Sequence, residues 1–171
     1  MKKKDCRILA EEIALSYQWV NDKVKALEIP VIMAVAKTGE ITSTDNLNNC
    51  TTTQLGDKLA FFGAWKGFLE SELSAAETRR DIVKSILEND LTRTIFEVAK
   101  NYRTEGSKVP NKEMLRAEAI ATSELYQRNH SSLTKLEALC TRLVGYRNQY
   151  RAYYETVSRI IAIRTSNREE I

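Results

Sequence analysis

The chain has 171 residues, 26 Lys+Arg against 23 Asp+Glu for a formal net charge of +3, and 43% hydrophobic residues. That is about one domain of sequence with enough apolar content for a packed core, and a charge too nearly balanced to dictate a partner by itself. Three widely spaced cysteines (Cys6, Cys50, Cys140) beside a single histidine, His130, exclude a disulfide scaffold and a clustered Cys/His zinc site.

The 29% charged content, with only 6 Gly and 2 Pro, favours long helices. The opening Met1-Lys2-Lys3-Lys4 resembles a signal n-region, but Glu11 and Glu12 interrupt any apolar run behind it. The longest apolar stretch, Ile29 to Ala36, contains Pro30 and is far too short to span a bilayer. No membrane contact is expected.

The first helix is predicted from about Asp5 to Glu28, where Ile8, Leu9, Ile13, Tyr17, Val20, Val24 and Leu27 recur every three or four residues. Pro30 ends or kinks it. Lys37 to Gln54 is the most loop-like stretch. Before and within it, Val31–Ala36 and Glu40–Thr42 pair as a hairpin across Thr38-Gly39, or Pro30–Ala36 forms a helical turn; both remain open. Residues 1–50 thus read as an N-terminal helix plus a short irregular segment.

Residues 51–171 read as a long antiparallel helical hairpin, a coiled coil, in an all-α fold. The second helix is predicted to start near Thr53 as N-cap, with Asp57 at the positive dipole end. Its apolar stripe is Leu55, Leu59, Phe62, Trp65, Leu69, Leu73, Ala76, Val83, Leu87, Leu91, Ile95, Val98 and Tyr102. The two four-residue steps from Leu87 to Ile95 break the heptad and should locally unwind a supercoil. Gly63 and Gly67, one turn apart, weaken the helix but let another helix approach closely.

The chain is predicted to reverse at Thr104–Pro110, with Gly106 as helix C-cap and Pro110 in the first turn of the next helix. One uninterrupted third helix is expected to about Ser166. Its ladder alternates three and four steps throughout: Leu115, Ala119, Thr122, Tyr126, Asn129, Leu133, Leu136, Cys140, Leu143, Arg147, Tyr150, Tyr154, Val157, Ile161. At 1.5 Å per residue each arm would measure about 75–80 Å. Such arms must pack on the first helix or on other copies, so a homo-oligomer is expected. Thr122, Asn129 and Arg147 interrupt the seam, either as solvated positions or as polar residues that fix register.

No phosphate-binding glycine loop, nucleophile elbow or H-E-x-x-H is present. Di-iron Glu-x-x-His pairs need at least two histidines. Glu113, Glu118, Glu124 and Glu137 read as solvated charges, and Cys140 as a small core residue. Without an acid, base and nucleophile set, the chain is expected not to be an enzyme and to need no cofactor or metal.

One segment carries functional colour. Between Ala138 and Arg168 stand Arg142, Arg147, Arg151, Arg159, Arg164 and Arg168, with no lysine and Glu155 as the only acid, giving +5. Tyr146, Tyr150, Tyr153 and Tyr154 interleave. Guanidinium forks suit phosphates and tyrosine faces suit bases, the combination used on single-stranded nucleic acid. Against this, Tyr150 and Tyr154 fall on the seam, and arginines also suit the negative end of a helix. A nucleic-acid face and a protein interface both stand open.

The layout resembles the phage recombination mediator family of the UvsY type. Tyr102-Arg103-Thr104-Glu105-Gly106 corresponds to that family's helix break and Asn111-Lys112-Glu113-Met114 to its restart. Leu133, Leu136, Leu139 and Leu143 correspond to its spaced leucines, and Val157-Ser158-Arg159-Ile160-Ile161-Ala162-Ile163 to its ending. The likeness covers roughly the last 110 residues. The first 50 have no counterpart, and the family's Gly-Phe/Trp after Ser-Arg is replaced by Ile160-Ile161. The resemblance implies a ring-forming, single-stranded-DNA-binding accessory that loads a recombinase, with Ser158 and Arg159 among the DNA-facing residues.

The leading expectation is a non-enzymatic, self-assembling nucleic-acid-associated accessory protein, located in the cytoplasm (of the host, if phage-encoded). Its candidate contacts are Arg142, Arg147, Arg151, Tyr153, Ser158, Arg159, Arg164 and Arg168. Expected partners are further copies of the chain, a single-stranded nucleic acid, and a recombinase or other protein. The alternative is a structural or adaptor coiled-coil protein, such as a phage or virion assembly component, whose Arg/Tyr face docks on protein.

Overall fold

The computed structural model describes residues 3–30, 47 and 49–169, without the side chains of 3–10, 12 and 167–169. Four helices are described: α1 Lys3–Lys25, α2 Thr52–Thr104, α3 Lys112–Thr122 and α4 Glu124–Glu169. The chain is an all-α helical hairpin preceded by an N-terminal helix, and no strand occurs among the described residues. Both alternatives for Val31–Ala36, the strand pairing with Glu40–Thr42 and the helical turn from Pro30, lie outside those residues, as does the loop as far as Asn46 and at Asn48.

Local chemistry sets each helix end. Past the end of α1, Glu28 turns the backbone left-handed at φ 50, and its N–H donates to the Lys25 carbonyl. At the start of α2 the Thr51 N–H donates to Gln54 Oε1 at 2.8 Å while the Gln54 N–H donates to Thr51 Oγ1 at 3.2 Å. This reciprocal capping box makes Thr51 the cap, two residues before the expected Thr53. Gly106, at φ 72, closes α2: Ser107 N–H reaches the Tyr102 carbonyl and Gly106 N–H the Arg103 carbonyl, a Schellman motif. Asn111 caps α3 by accepting the Met114 N–H at 2.9 Å, so Pro110 stands just before the cap and not in the first turn.

The seam on α2 is buried or half-buried at every expected position, from Leu55 to Tyr102. On α3 and α4 only Thr122 of the fourteen expected positions is exposed. Its neighbour Ser123 is buried instead, and it divides the expected single helix in two. Ser123 sits at ψ 106, its N–H donating to the Ala119 carbonyl to end α3 and its hydroxyl accepting the Tyr126 N–H at 2.9 Å to cap α4. The same hydroxyl donates to Asp90 Oδ2 at 2.6 Å. A heptad count records side-chain spacing, and it does not register a backbone turn capped by a serine hydroxyl.

Two compact units emerge from the internal packing, Met1–Asp22 with Ala75–Cys140 and Lys23–Ser74 with Thr141–Ile171. In the first, Leu87, Leu91, Val98, Leu115 and Ala119 are buried, and the Tyr102 hydroxyl donates to Glu118 at 3.0 Å. Cys140 is buried there too, and burial pushes its thiol up from the ordinary value. His130, exposed, lies against the Tyr126 ring at 5.3 Å. Val20 of α1 is buried, but Ile13 and Tyr17 are exposed. The expected α1 stripe is therefore not covered along its length. Periodicity gives the face a helix can bury, and only a neighbour within reach covers it.

In the second unit, Leu55, Leu69, Leu73, Leu143, Tyr150 and Val157 are buried. Each fully buried side chain of this size contributes roughly 1.5–3 kcal/mol. Leu47, Leu55 and Val157 form a cluster extended by Phe62, Ile160 and Ile161. At Gly63 the absence of a side chain lets α4 close in, since an added Cβ would meet Tyr154 Cε2 at 3.2 Å. Gly67, read as a partner in that approach, faces open space.

Candidate nucleic-acid interface

The candidate residues all lie on α4, in the second unit, and its rotation of about 100° per residue distributes them. Arg142 and Arg151, nine residues apart, project on opposite sides. Arg159 stands opposite the buried Tyr150 and faces outward, exposed. Arg147, Arg151 and Ser158 share one flank. The six arginines are thus not one stripe, and only Arg151 and Arg159 act on a common neighbour.

That neighbour is Glu155. Arg151 Nε donates to Glu155 Oε1 at 2.8 Å, and this bond holds the Glu155 carboxyl below the usual carboxylate range. Arg159 and Lys66 add smaller pulls in the same direction. The segment's only acid is thereby surrounded by three cations. Glu70, from α2, pairs with Lys66 at 3.9 Å and adds to the acidic field at Arg151, so the surplus rests on three cations against two acids. Lys66 also lies over the Tyr154 ring, with Nζ 5.6 Å from its centroid. Lys66 comes from the facing helix, so no local pattern on α4 announces it.

The other candidates are engaged differently. Arg142 lies over Tyr146 at 5.6 Å, and Arg147 donates to the neighbouring Asn148. Tyr153 stacks on Phe62 with centroids 5.4 Å apart and planes at 21°, so one of its faces is taken. Tyr150 is fully buried and its hydroxyl donates to the Pro30 carbonyl at 2.7 Å. Arg164 turns inward, its guanidinium donating to the Cys50 carbonyl and, at 3.5 Å, to that of Leu47. It ties the segment before α2 to α4. The side chain of Arg168 lies outside the described residues.

The geometry therefore offers guanidinium and ammonium donors to anions, with few open aromatic faces for bases. Among the described residues no group of His, Cys, Asp or Glu side chains is arranged to hold a metal ion, and no helix is long and apolar enough to cross a membrane. No family model, curated protein or solved structure matches the chain.

Proposed function

We propose that this chain is a non-enzymatic, self-assembling accessory protein that holds single-stranded nucleic acid by its phosphates, in the manner of a recombination mediator. The observation that carries the reading is the surplus of cations about Glu155, with Arg151, Arg159 and Lys66 drawn from two helices and Arg147 and Ser158 along the same flank. Arginine forks and a serine hydroxyl are suited to phosphate oxygens, and such contacts carry little sequence information. With Tyr153 stacked on Phe62, base stacking is a minor contribution. The cytoplasm, a loaded recombinase as further partner, and assembly into closed copies belong to this same reading.

A protein-docking role for the same end of α4 is favoured by Ile163, which is 60% exposed one turn beyond Arg159. Fluorescence anisotropy of labelled single-stranded oligonucleotides of unrelated sequence, at low salt, separates the two. Comparable binding of all sequences supports the nucleic-acid reading, and no binding of any moves the assignment to the adaptor.

A further inference from the structure

A second heptad runs along α2 outside the hairpin seam. Within the first unit Ala75, Ile82, Asn89 and Phe96 recur every seven residues. Ile82 is 55% exposed, Phe96 72%, and Ile86, one turn beyond Ile82, 52%. Ile82 and the buried Leu91 are nine residues apart, half a turn around the helix, so this ladder faces away from the seam. In sequence the same interval reaches back to Phe68 and Phe61. The positions three residues after each ladder residue are Thr78, Ser85, Thr92 and Ala99, all small enough for a close helix approach.

We infer that this face pairs α2 with α2 of a second copy, parallel and in register. Charge selects both the occupant and its direction. Asp81 and Glu88 precede ladder positions, on one edge, whereas Arg79, Arg93 and Lys100 follow them by four residues, on the other. A parallel coiled coil sets the first edge of one helix against the second edge of its partner, bringing Glu88 to Arg93 of the second copy, whose guanidinium also reaches Asp90 and Glu97 of its own helix, and Asp81 to the apolar Ile86. Antiparallel pairing sets acid against acid and base against base. In register, Asn89 meets its own copy, the arrangement by which a polar ladder residue fixes register at some cost in stability.

The inference rests on the self-assembly half of the proposed function and is independent of nucleic-acid contact. Light scattering of the full chain, without nucleic acid, tests it across a wide concentration range, with circular dichroism to confirm folding. The expected results are a wild-type mass above 19.5 kDa, a loss of at least tenfold in association for Ile82→Glu, and a similar loss for Glu88→Arg. Glu88→Arg/Arg93→Glu restores association, because it reverses this one pair and keeps it complementary. A wild-type monomer at every concentration overturns both this inference and self-assembly. A wild-type oligomer that neither single variant weakens overturns this face alone, and a folded double variant that stays dissociated overturns the parallel register.

Discussion

The Ser123 hydroxyl donates to the Asp90 carboxylate at 2.6 Å across the hairpin while accepting the Tyr126 N–H at 2.9 Å. One side chain thus caps a helix and satisfies an acid whose side chain is only 12% exposed. Asp90 keeps a second, looser partner in Arg93 at 3.5 Å, itself largely in solvent.

Ser123→Ala removes both functions. A lost cap costs about 1 kcal/mol, and a lost hydrogen bond to a charged group about 1.5–3 kcal/mol. Denaturant unfolding should show a loss of about 2.5–4 kcal/mol, against little for the exposed neighbour in Thr122→Ala. Ser123→Asp supplies an equally good cap but sets a carboxylate against Asp90, so it should not recover the loss. Full stability in Ser123→Asp contradicts the cross-hairpin assignment.

Alkaline pH should destabilise the fold. Burial raises the Tyr150 phenol and the Cys140 thiol, and a hydrogen bond to Glu118 raises the Tyr102 phenol. Each is held neutral in the folded chain but ionises at its ordinary value when unfolded, about 8.5 for the thiol and 10 for the phenols. Stability present below those values is therefore lost as pH rises through them. Melting temperature should be level near neutrality and fall above about pH 8.5. Tyr102→Phe/Tyr150→Phe, although less stable throughout, should fall less steeply above about pH 10. An unchanged alkaline slope in that variant contradicts the assignment.

Much of this fold was legible because the seam is a matter of spacing. Leu87, Leu143 and Val157 announce a buried stripe whatever their partners. Ser123 was hidden because serine is tolerated in a helix, and its role depends on Asp90, thirty-three residues away in sequence. Thr51 and Gln54 carry a capping signature that the adjacent threonines, themselves good caps, obscure. At the candidate interface the charge of α4 was legible, but not which arginines face outward. Leu47 and Cys50 carbonyls draw Arg164 inward, and Phe62 takes one face of Tyr153, in each case through a segment distant in sequence.

The two neighbouring helix glycines should respond differently to alanine. Gly67→Ala meets nothing within 4 Å and should stabilise α2 by about 0.8–1 kcal/mol. Gly63→Ala brings a Cβ to 3.2 Å from the Tyr154 ring, which already lies beneath Lys66, so the helix gain is offset by displacement of that ring. Thermal melts should place Gly67→Ala above wild type and Gly63→Ala below Gly67→Ala. Equal gains contradict the close approach of α4 at Gly63.

Arg164 and Arg151 should separate stability from binding. Arg164→Ala removes the tie to Leu47 and Cys50 and should lower stability by about 1–3 kcal/mol. Arg151→Ala loses an exposed ion pair with Glu155 and should change stability little. Urea unfolding of both variants checks this, and equal losses contradict the distinction between an inward and an outward arginine.

The most direct test of phosphate binding is the salt dependence of affinity for a labelled single strand, comparing wild type with Arg151→Glu/Arg159→Glu. Each phosphate neutralised on a single strand adds about −0.7 to the slope of log affinity against log salt. A steep wild-type slope is expected, flattened by about 1.4 in the double variant because two phosphates are no longer neutralised, with the helix content unchanged. Binding that is absent at low salt, or a slope the double variant leaves unchanged, contradicts it.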